Sequence, residues 1–410
     1  MAFSRLRFSL AQLLLLVALA AILVTAGILL SQPSGRPEYW ASAVAFSPDG
    51  KTLAASLYVY HRVQEWDPTP RILGADASHS FFLLDLPDLH AAKLLERTSH
   101  PGIISVAWVV RNMGLGQSLA FSADGKTLAT KGIENRVSLW NVGSGQKIND
   151  FSVADELTGG ISWAEDGTLA TSGLNATYIL RPNAQGLWKL TSQTGTVTVV
   201  LSRDGSKLAT ANDDGKIDLW DARTGGNLHH LDTGNEPFDK VGLAISPDGR
   251  FVAGGICIVI NSNGRGSTRI WDTATGKEQF SWELPSTAPA IAFSPDGKRL
   301  VSAPGSMGLH FFSLDGGTDE IVKTESWIAS IAFSRDGKLL ATGDSSGRVS
   351  LWDVKAKKVL TSISLVQDRD FSRWPIVIAA SLVWLVLWRY ACGKHRRSPG
   401  TNVPKGEVQQ

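Results

Sequence analysis

The side chains best suited to chemistry in this 410-residue chain are seven aspartates that recur in one motif, Ser-Pro-Asp-Gly or a close variant. They are Asp49, Asp124, Asp166, Asp204, Asp248, Asp296 and Asp336. Regularly placed carboxylates can act as general acids, general bases or metal ligands. The motif itself offers a simpler role, because Ser and Pro suit the first positions of a type I turn and the following Gly accepts a positive φ. We therefore interpret the seven aspartates as turn residues.

Other groups of residues do not predict catalysis, a metal or a cofactor. The sequence has no HExxH or CxxC motif, and no Gly-x-Ser-x-Gly elbow stands between a predicted strand and a helix. The eight histidines are scattered, and the net charge of +2 provides no field that favours nucleic acid. We predict a protein that is not an enzyme, needs no cofactor and does not bind nucleic acid.

The residues around each turn predict four short strands per repeat. An apolar segment such as Ile291-Ala292-Phe293 precedes the turn, and Leu-Ala-Thr or a similar sequence follows it. A third strand ends in Leu-Trp or Ile-Trp, then Asp or Asn, in four repeats. The tryptophans of these strands are Trp140, Trp220, Trp271 and Trp352. A unit of four strands joined by tight turns, repeated at a fixed period, is typical of a β-propeller.

Together, Ser-Pro-Asp-Gly-Lys, Leu-Ala-Thr-Gly and Leu-Trp-Asp resemble WD40 repeats of the bacterial style, over residues 40–366. The resemblance implies an all-β propeller, whereas the family has many unrelated roles and does not by itself indicate which one this chain performs. The chain departs from the family pattern in two ways. The Gly-His dipeptide that opens many WD40 repeats is missing. The Asp that precedes the third strand is present in only some repeats, since Asp214 occupies this position in one repeat and Ser346 replaces it in another. We therefore expect the His-Ser-Asp-Trp hydrogen-bond network of that family to be absent, with closure resting on apolar packing.

The spacing of the turn aspartates predicts the number of blades. From the first to the last, the intervals are 75, 42, 38, 44, 48 and 40 residues. Five of them fit one WD40 period, and the first is about 30 residues too long, which is less than a further blade. We predict seven blades with insertions in the first interval, and eight blades as the alternative.

Two apolar segments at the ends of the chain predict transmembrane helices, over residues 10–30 and 374–392. The first is about 31 Å long as a helix, enough to cross a bilayer core. The alternative for this segment is a signal peptide that is cleaved near Ala26-Gly27. The remaining predicted segments are a basic start (1–9), two linkers (31–39 and 367–373) and a basic, disordered tail (393–410).

Basic residues at the ends of both spans predict their orientation. Arg5 and Arg7 precede the first span, and Lys394, Arg396 and Arg397 follow the second. Because Lys and Arg are in excess on cytoplasmic flanks, we expect both termini in the cytoplasm and the propeller outside it, in a bacterial inner membrane. The predicted contacts are membrane lipid through two helices and an unidentified, membrane-associated protein.

Aromatic and basic residues on the predicted insertions are the candidate partner-binding residues, because such side chains dominate binding hot spots. The insertions are 58–80, 108–116 and 258–268. The candidates are Tyr58, Tyr60, His61, Trp66, Trp108 and Arg111. We expect Tyr58 and Tyr60 to be exposed, whereas Trp66 either is exposed or packs internally as a displaced copy of the repeat tryptophan.

The predicted function is therefore a non-catalytic protein-interaction scaffold at the extracytoplasmic face of a membrane. The alternative is an envelope ligand-binding or sensing propeller that uses its central channel. The identity of the partner and the oligomeric state do not follow from the sequence.

The predicted topology can be tested with reporter fusions after Gly347 and after Gln410. We expect a periplasm-active reporter to function at position 347 and a cytoplasm-active reporter at position 410, because the second span lies between them. Cytoplasmic activity at position 347 contradicts the topology.

Overall fold

The computed structural model of the chain is a seven-bladed β-propeller, as the repeat spacing predicts. By its internal contacts the chain divides into two units, and the described residues lie in the unit Ser34–Val366. The structure describes residues 37–366 except for 62–76, 87–88, 90–92, 101–117, 132–135, 153–156, 174, 182–186, 192–194, 213, 235–239, 261–262, 285–289, 305–307, 316 and 318. The predicted spans, residues 10–30 and 374–392, lie outside this part of the chain. Within it, no helix is both long and apolar enough to span a membrane.

Each blade is a sheet of four strands that follow one another in the chain. Blade 1 contains β1 (Pro37–Phe46), β2 (Thr52–His61), β3 (Ala77–Asp85) and β4 (Lys93–His100). Blade 2 contains β5 (Leu119–Phe121), β6 (Thr127–Lys131), β7 (Arg136–Asn141) and β8 (Lys147–Ser152). Blade 3 contains β9 (Leu157–Trp163), β10 (Leu169–Gly173), β11 (Ala176–Leu180) and β12 (Leu187–Thr191). Blade 4 contains β13 (Thr196–Leu201), β14 (Lys207–Asn212), β15 (Ile217–Asp221) and β16 (Asn227–Leu231).

The last three blades repeat the same order. Blade 5 contains β17 (Lys240–Ile245), β18 (Phe251–Ile260), β19 (Asn263–Asp272) and β20 (Glu278–Leu284). Blade 6 contains β21 (Ala290–Phe293), β22 (Arg299–Ala303), β23 (Leu309–Ser313) and β24 (Glu320–Val322). Blade 7 contains β25 (Ile328–Phe333), β26 (Leu339–Asp344), β27 (Arg348–Asp353) and β28 (Lys358–Ser364).

The first strands of the blades contact one another in order around a closed ring, and β25 contacts β1. They therefore surround the central channel, and the fourth strands form the outer edge. Because the strands are antiparallel, each blade has two ends. We call the end with the turns between first and second strands and between third and fourth strands the turn face. The other end, where first strands begin and fourth strands end, is the linker face.

The recurrent aspartates shape the turns, as predicted. In the first turn Gly50 N donates to Ser47 O at 2.9 Å, and φ of Gly50 is +69°. The Asp49 carboxylate accepts the Ser47 hydroxyl at 2.6 Å and the Lys51 backbone N–H at 3.1 Å. These bonds, with that of Ser47 first, lower the pKa of Asp49. The same arrangement recurs at Asp124, Asp204, Asp248, Asp296 and Asp336.

The repeat tryptophans correct one expectation of the sequence analysis, since part of the hydrogen-bond network is present. Nε1 of Trp140, Trp220 and Trp352 donates to the hydroxyl of a second-strand threonine, at 2.8, 2.9 and 2.9 Å. In blade 5, Gly254 occupies the position of that threonine, and Trp271 Nε1 donates instead to Asp232 O at 3.1 Å. The Trp–Thr hydrogen bond involves only residues of two neighbouring strands, so it forms without the histidine of the Gly-His dipeptide that this chain lacks.

Blade 7 also supplies the missing aspartate from another position. The Asp344 carboxylate accepts the backbone N–H of Ser346 at 2.8 Å and that of Arg348 at 3.0 Å, which fixes the turn into the third strand. A residue two places earlier in the sequence thus performs the role that the motif assigns to position 346.

The ring closes between blades 1 and 7 without a shared strand. Apolar side chains of both blades form one core cluster, which includes Leu53, Leu57, Val349 and Leu351. Ser330 Oγ also donates to Ala41 O at 3.1 Å. A complete blade at each end therefore meets the other mainly through side-chain packing, as the sequence analysis expects for closure.

Gly343 allows the closest approach at this seam. A Cβ added there would lie 2.3 Å from Ala41 O and 2.9 Å from Ala41 Cβ. We expect Gly343→Ala to lower the free energy of unfolding by about 2 kcal/mol or more, because β26 and β1 must separate to admit the methyl group. Gly226→Ala is the matched control, since its nearest neighbour is an ordinary 3.4 Å contact, and it should change stability by less than about 0.5 kcal/mol. Chemical denaturation measures both; equal effects would contradict the tight seam.

Candidate functional site

The two ends of the propeller chain meet at one place on the linker face. A Cβ added at Gly347 would lie 2.8 Å from Val366 Cγ2, 3.0 Å from Leu57 Cδ1 and 3.2 Å from Tyr39 Cβ. Tyr39 lies near the start of the first blade and Val366 just after the last strand. The chain thus enters and leaves the ring side by side, at the seam between blades 1 and 7.

Two elongated hairpins project on the same face. The second and third strands of blades 1 and 5 are nine or ten residues long, and those of the other five blades are five or six. Pairing in blade 5 continues to Ile260 opposite Asn263, and in blade 1 to Tyr60 opposite Ala77. Most of the predicted insertion 258–268 is therefore strand, and so are the two ends of the predicted insertion 58–80, whose middle, 62–76, lies outside the described residues.

Tyr58 is buried, so its expected exposure is wrong. Its side chain is 1 % exposed and lies edge-on to the His79 ring, with centroids 5.8 Å apart. Trp40 pairs with it on the neighbouring strand β1. Because the strands of blade 1 extend further than the repeat pattern indicates, this tyrosine lies within the packed sheet and not on a projecting loop.

The other candidate residues remain predictions. Tyr60 and His61 end strand β2, and the surroundings of their side chains lie outside the described part of the structure. Trp66, Trp108 and Arg111 fall in the segments 62–76 and 101–117, which are also outside it.

A pair of tryptophans marks the seam on the linker face. The rings of Trp40 and Trp327 meet edge to face with centroids 5.9 Å apart, and both side chains are half-buried. Trp327 directly precedes β25 of blade 7, and Trp40 lies in β1 of blade 1. Neither tryptophan stands out in the sequence, since they are 287 positions apart and only ring closure brings them together.

His79 is a buried, neutral imidazole in the third strand of blade 1. Its side chain is packed between the rings of Tyr58 and Phe81. Burial, followed by the charge of Lys131, lowers the pKa of His79 to about 3. An imidazole that stays neutral across the physiological range contributes packing here and does not act as a proton donor.

The described residues offer no metal site and no free catalytic carboxylate among the turns. No cluster of three or more His, Cys, Asp or Glu side chains in that part of the chain could hold a metal ion. At Asp204, hydrogen bonds, with that from Ser202 first, lower the pKa to about 2. This ionised carboxylate accepts hydrogen bonds from hydroxyl groups and a backbone N–H and is a poor general base near neutral pH.

The buried imidazole predicts a pH dependence of stability. The pKa of His79 is lowered in the folded chain, so below pH 6.5 the imidazole is protonated in the unfolded chain and stays neutral in the folded chain. Stability should therefore fall as the pH drops below 6.5, by about 1.4 kcal/mol per pH unit from this residue. His79→Phe should remove about 2 kcal/mol of the loss between pH 6.5 and 5 in urea denaturation; an unchanged slope would contradict the assignment.

Comparison with known proteins agrees with the repeat pattern. The family described as "WD domain, G-beta repeat" matches residues 185–221, and the "Anaphase-promoting complex subunit 4 WD40 domain" matches residues 319–390. Among solved structures, a chain of "Crystal Structure of Mitotic Checkpoint Complex" aligns with 79 % of this chain and 92 % of its own length, with a TM-score of 0.57 and 16 % identity. That likeness shows the fold alone.

Several curated relatives are similar over a third of the chain or slightly more. "Telomerase protein component 1" from Mus musculus is 30 % identical over 34 % of this chain and 5 % of its own length. "WD repeat-containing protein WDS homolog" from Arabidopsis thaliana is 27 % identical over 37 % of this chain and 28 % of its own. "WD repeat-containing protein SL1-17" from Schistosoma mansoni is 27 % identical over 39 % and 51 %. The chain thus spans about half or less of each relative's length.

These relatives are eukaryotic, so the bacterial style and the membrane anchor expected from the sequence receive no support from them. The repeats do receive support, since both family matches and the seven four-stranded blades make the chain similar to WD40-repeat proteins.

Proposed function

We propose that this protein is a membrane-anchored scaffold that holds another protein against the linker face of its propeller, outside the cytoplasm. WD40 propeller proteins generally act as protein-interaction scaffolds and are typically non-catalytic. The observation that carries the proposal is the joint position, on one face, of both chain ends and both elongated hairpins.

The hairpins suit a binding role because the blades do not need their extra length. The other five blades close the same ring with second and third strands of five or six residues. The additional residues in blades 1 and 5 therefore project beyond the common core. Rigid paired strands present side chains at a lower cost in conformational entropy than loops of the same length, which favours recognition of a partner.

Both predicted spans connect to the propeller at the linker face, since Tyr39 and Val366 lie together there. Because β1 already begins at Pro37, the predicted linkers leave six residues (31–36) before the propeller and seven (367–373) after it, and each can extend over at most about 3.3–3.6 Å per residue. The proposed partner is therefore membrane-associated. With the basic flanks outside the spans, the proposed topology places both termini in the cytoplasm.

Replacing residues 62–76 by Asn-Gly tests the role of the first hairpin. The change leaves the pairing of β2 with β3 intact up to Tyr60 and Ala77, and it closes the strands with a short turn. We expect the thermal midpoint to shift by less than about 4 °C, which corresponds to about 1 kcal/mol or less. Capture of the partner should be lost.

Photo-crosslinking in cells provides the measurement. A photoreactive amino acid at Trp66 should give a discrete crosslinked species, and the same residue at Leu228 should not. Leu228 is an exposed position on the outer strand of blade 4. Identical crosslinks from both positions, or partner capture that survives the replacement, would remove the linker face as the binding site.

A further inference from the structure

The channel mouth on the turn face carries a charged group that neither the turns nor the fold requires. The turns between first and second strands lie at the inner edge of the disc, because those two strands are the innermost of each blade. Their second residues therefore border the mouth. These residues are Pro48, Ala123, Glu165, Arg203, Pro247, Pro295 and Arg335.

The three charged members of this set meet. Glu165 Oε1 accepts from Arg203 Nε at 2.8 Å and lies 2.8 Å from Arg203 Nη2. The same oxygen accepts from Arg335 Nη2 at 3.0 Å. We call Glu165, Arg203 and Arg335 the mouth triad.

The mouth triad joins blades that are not neighbours. Glu165 belongs to blade 3 and Arg203 to the adjacent blade 4. The backbone oxygen of Arg203 also accepts a hydrogen bond from the backbone N–H of Glu165 at 2.8 Å. Arg335 belongs to blade 7, three or four blades away in either direction around the ring. The link between Glu165 and Arg335 therefore reaches across the opening of the channel.

The charges of the mouth triad do not balance. Two guanidinium groups, with five N–H donors each, converge on one carboxylate, which leaves one positive charge in excess. The hydrogen bond from Arg203, and then the charges of both arginines, lower the pKa of Glu165, so it remains ionised near neutral pH. The side chains are 43 % (Arg203), 46 % (Glu165) and 53 % (Arg335) exposed, and all three are within reach of a partner.

The rim around the mouth triad is rigid and partly apolar. Prolines stand beside the next turn of the rim, since a Cβ added at Gly297 would lie 4.0 Å from Pro247 Cδ and one added at Gly337 would lie 3.5 Å from Pro295 Cδ. Proline fixes its own φ, so these turns hold their shape without a partner. Arginine is enriched in protein–protein contacts, and turns that are already rigid lose less conformational freedom when a partner binds.

We propose that the mouth triad is a second binding site, on the turn face, for an acidic segment of a protein partner. A carboxylate of that segment accepts N–H donors from Arg203 and Arg335 and takes the place of, or joins, the Glu165 carboxylate. Arginine suits this role because its planar fork binds carboxylates through paired, charge-assisted hydrogen bonds. Glu165 then acts as an internal competitor that occupies the arginines in the free protein. The site lies opposite the linker face and does not depend on the partner proposed there.

This arrangement predicts effects of opposite sign for the members of the mouth triad. The probe is a rhodamine-labelled hexaglutamate peptide, with hexaglutamine as the uncharged comparison, titrated by fluorescence anisotropy with the full chain in non-ionic detergent. Arg203→Gln and Arg335→Gln should each weaken peptide binding at least tenfold. Glu165→Gln should strengthen it about three- to tenfold, because it removes the internal competitor. Binding should weaken as the salt concentration rises.

The matched control is Arg348→Gln. Arg348 has a similar exposure of 46 % and is 3.6 Å from Glu325, but it lies at the start of the third strand of blade 7, which is on the linker face. Arg348→Gln should leave peptide binding unchanged, and so should the replacement of residues 62–76 by Asn-Gly. A failure of the site proposed on the turn face can therefore be distinguished from a failure of the site proposed on the linker face. Thermal melts verify folding, and Arg335→Lys, which keeps the charge but loses the fork, should give an intermediate affinity.

Three results would overturn the proposal. The peptide fails to bind the unmodified chain, the two arginine variants bind as the unmodified chain does, or Glu165→Gln weakens binding as much as Arg335→Gln. The last result is the one expected if the mouth triad only ties blades 3, 4 and 7 together, since removal of any member would then loosen the same link.

Discussion

Closure of the ring is the constraint on which the rest of this structure depends. Each blade is completed by its own four consecutive strands, so no strand from one end of the chain is added to the sheet at the other end. Blades 1 and 7 must instead meet through their faces. They do so through a shared apolar cluster, the Ser330–Ala41 hydrogen bond and the close approach that Gly343 permits. Because the contact is made of packing, its quality depends on shape complementarity over the whole seam.

Closure also creates the two surfaces to which we assign functions. Trp40 and Trp327 belong to opposite ends of the repeat array and meet only at the seam. Glu165 and Arg335 are 170 residues apart and meet only because the ring brings the turns of blades 3 and 7 to a common mouth. The linker face combines the chain ends with elongated hairpins, and the turn face combines proline-containing turns with the two arginines and one glutamate of the mouth triad. The two binding sites that we propose lie on opposite faces of the propeller.

The same repeat motif has different consequences at different positions within it. Its Ser, Asp and Gly form the hydrogen bonds that shape the turn, and these bonds recur from blade to blade with lengths of about 2.5–2.7 Å from hydroxyl to carboxylate. The second position makes none of these bonds and is free to vary. Proline there stiffens the turn, whereas Glu165, Arg203 and Arg335 place charge at the channel mouth. The turns thus keep the same hydrogen-bond geometry in most blades, and the blades differ in the side chain at the second position of the turn.

The class of fold, the number of blades and the role of the turn aspartates could be predicted from the sequence, because tight turns and alternating strands are set by neighbouring residues. The repeat tryptophans could be located in the same way, and their partners, such as Thr130 for Trp140, lie ten residues earlier on the neighbouring strand. The burial of Tyr58, the seam pair Trp40–Trp327 and the mouth triad became visible only in the folded chain. Burial depends on how far strands pair beyond the repeat, and contacts between distant blades depend on closure of the ring. Neither quantity is encoded in the local spacing of residue types, which is why sequence periodicity identified the blades but not the surfaces that they form together.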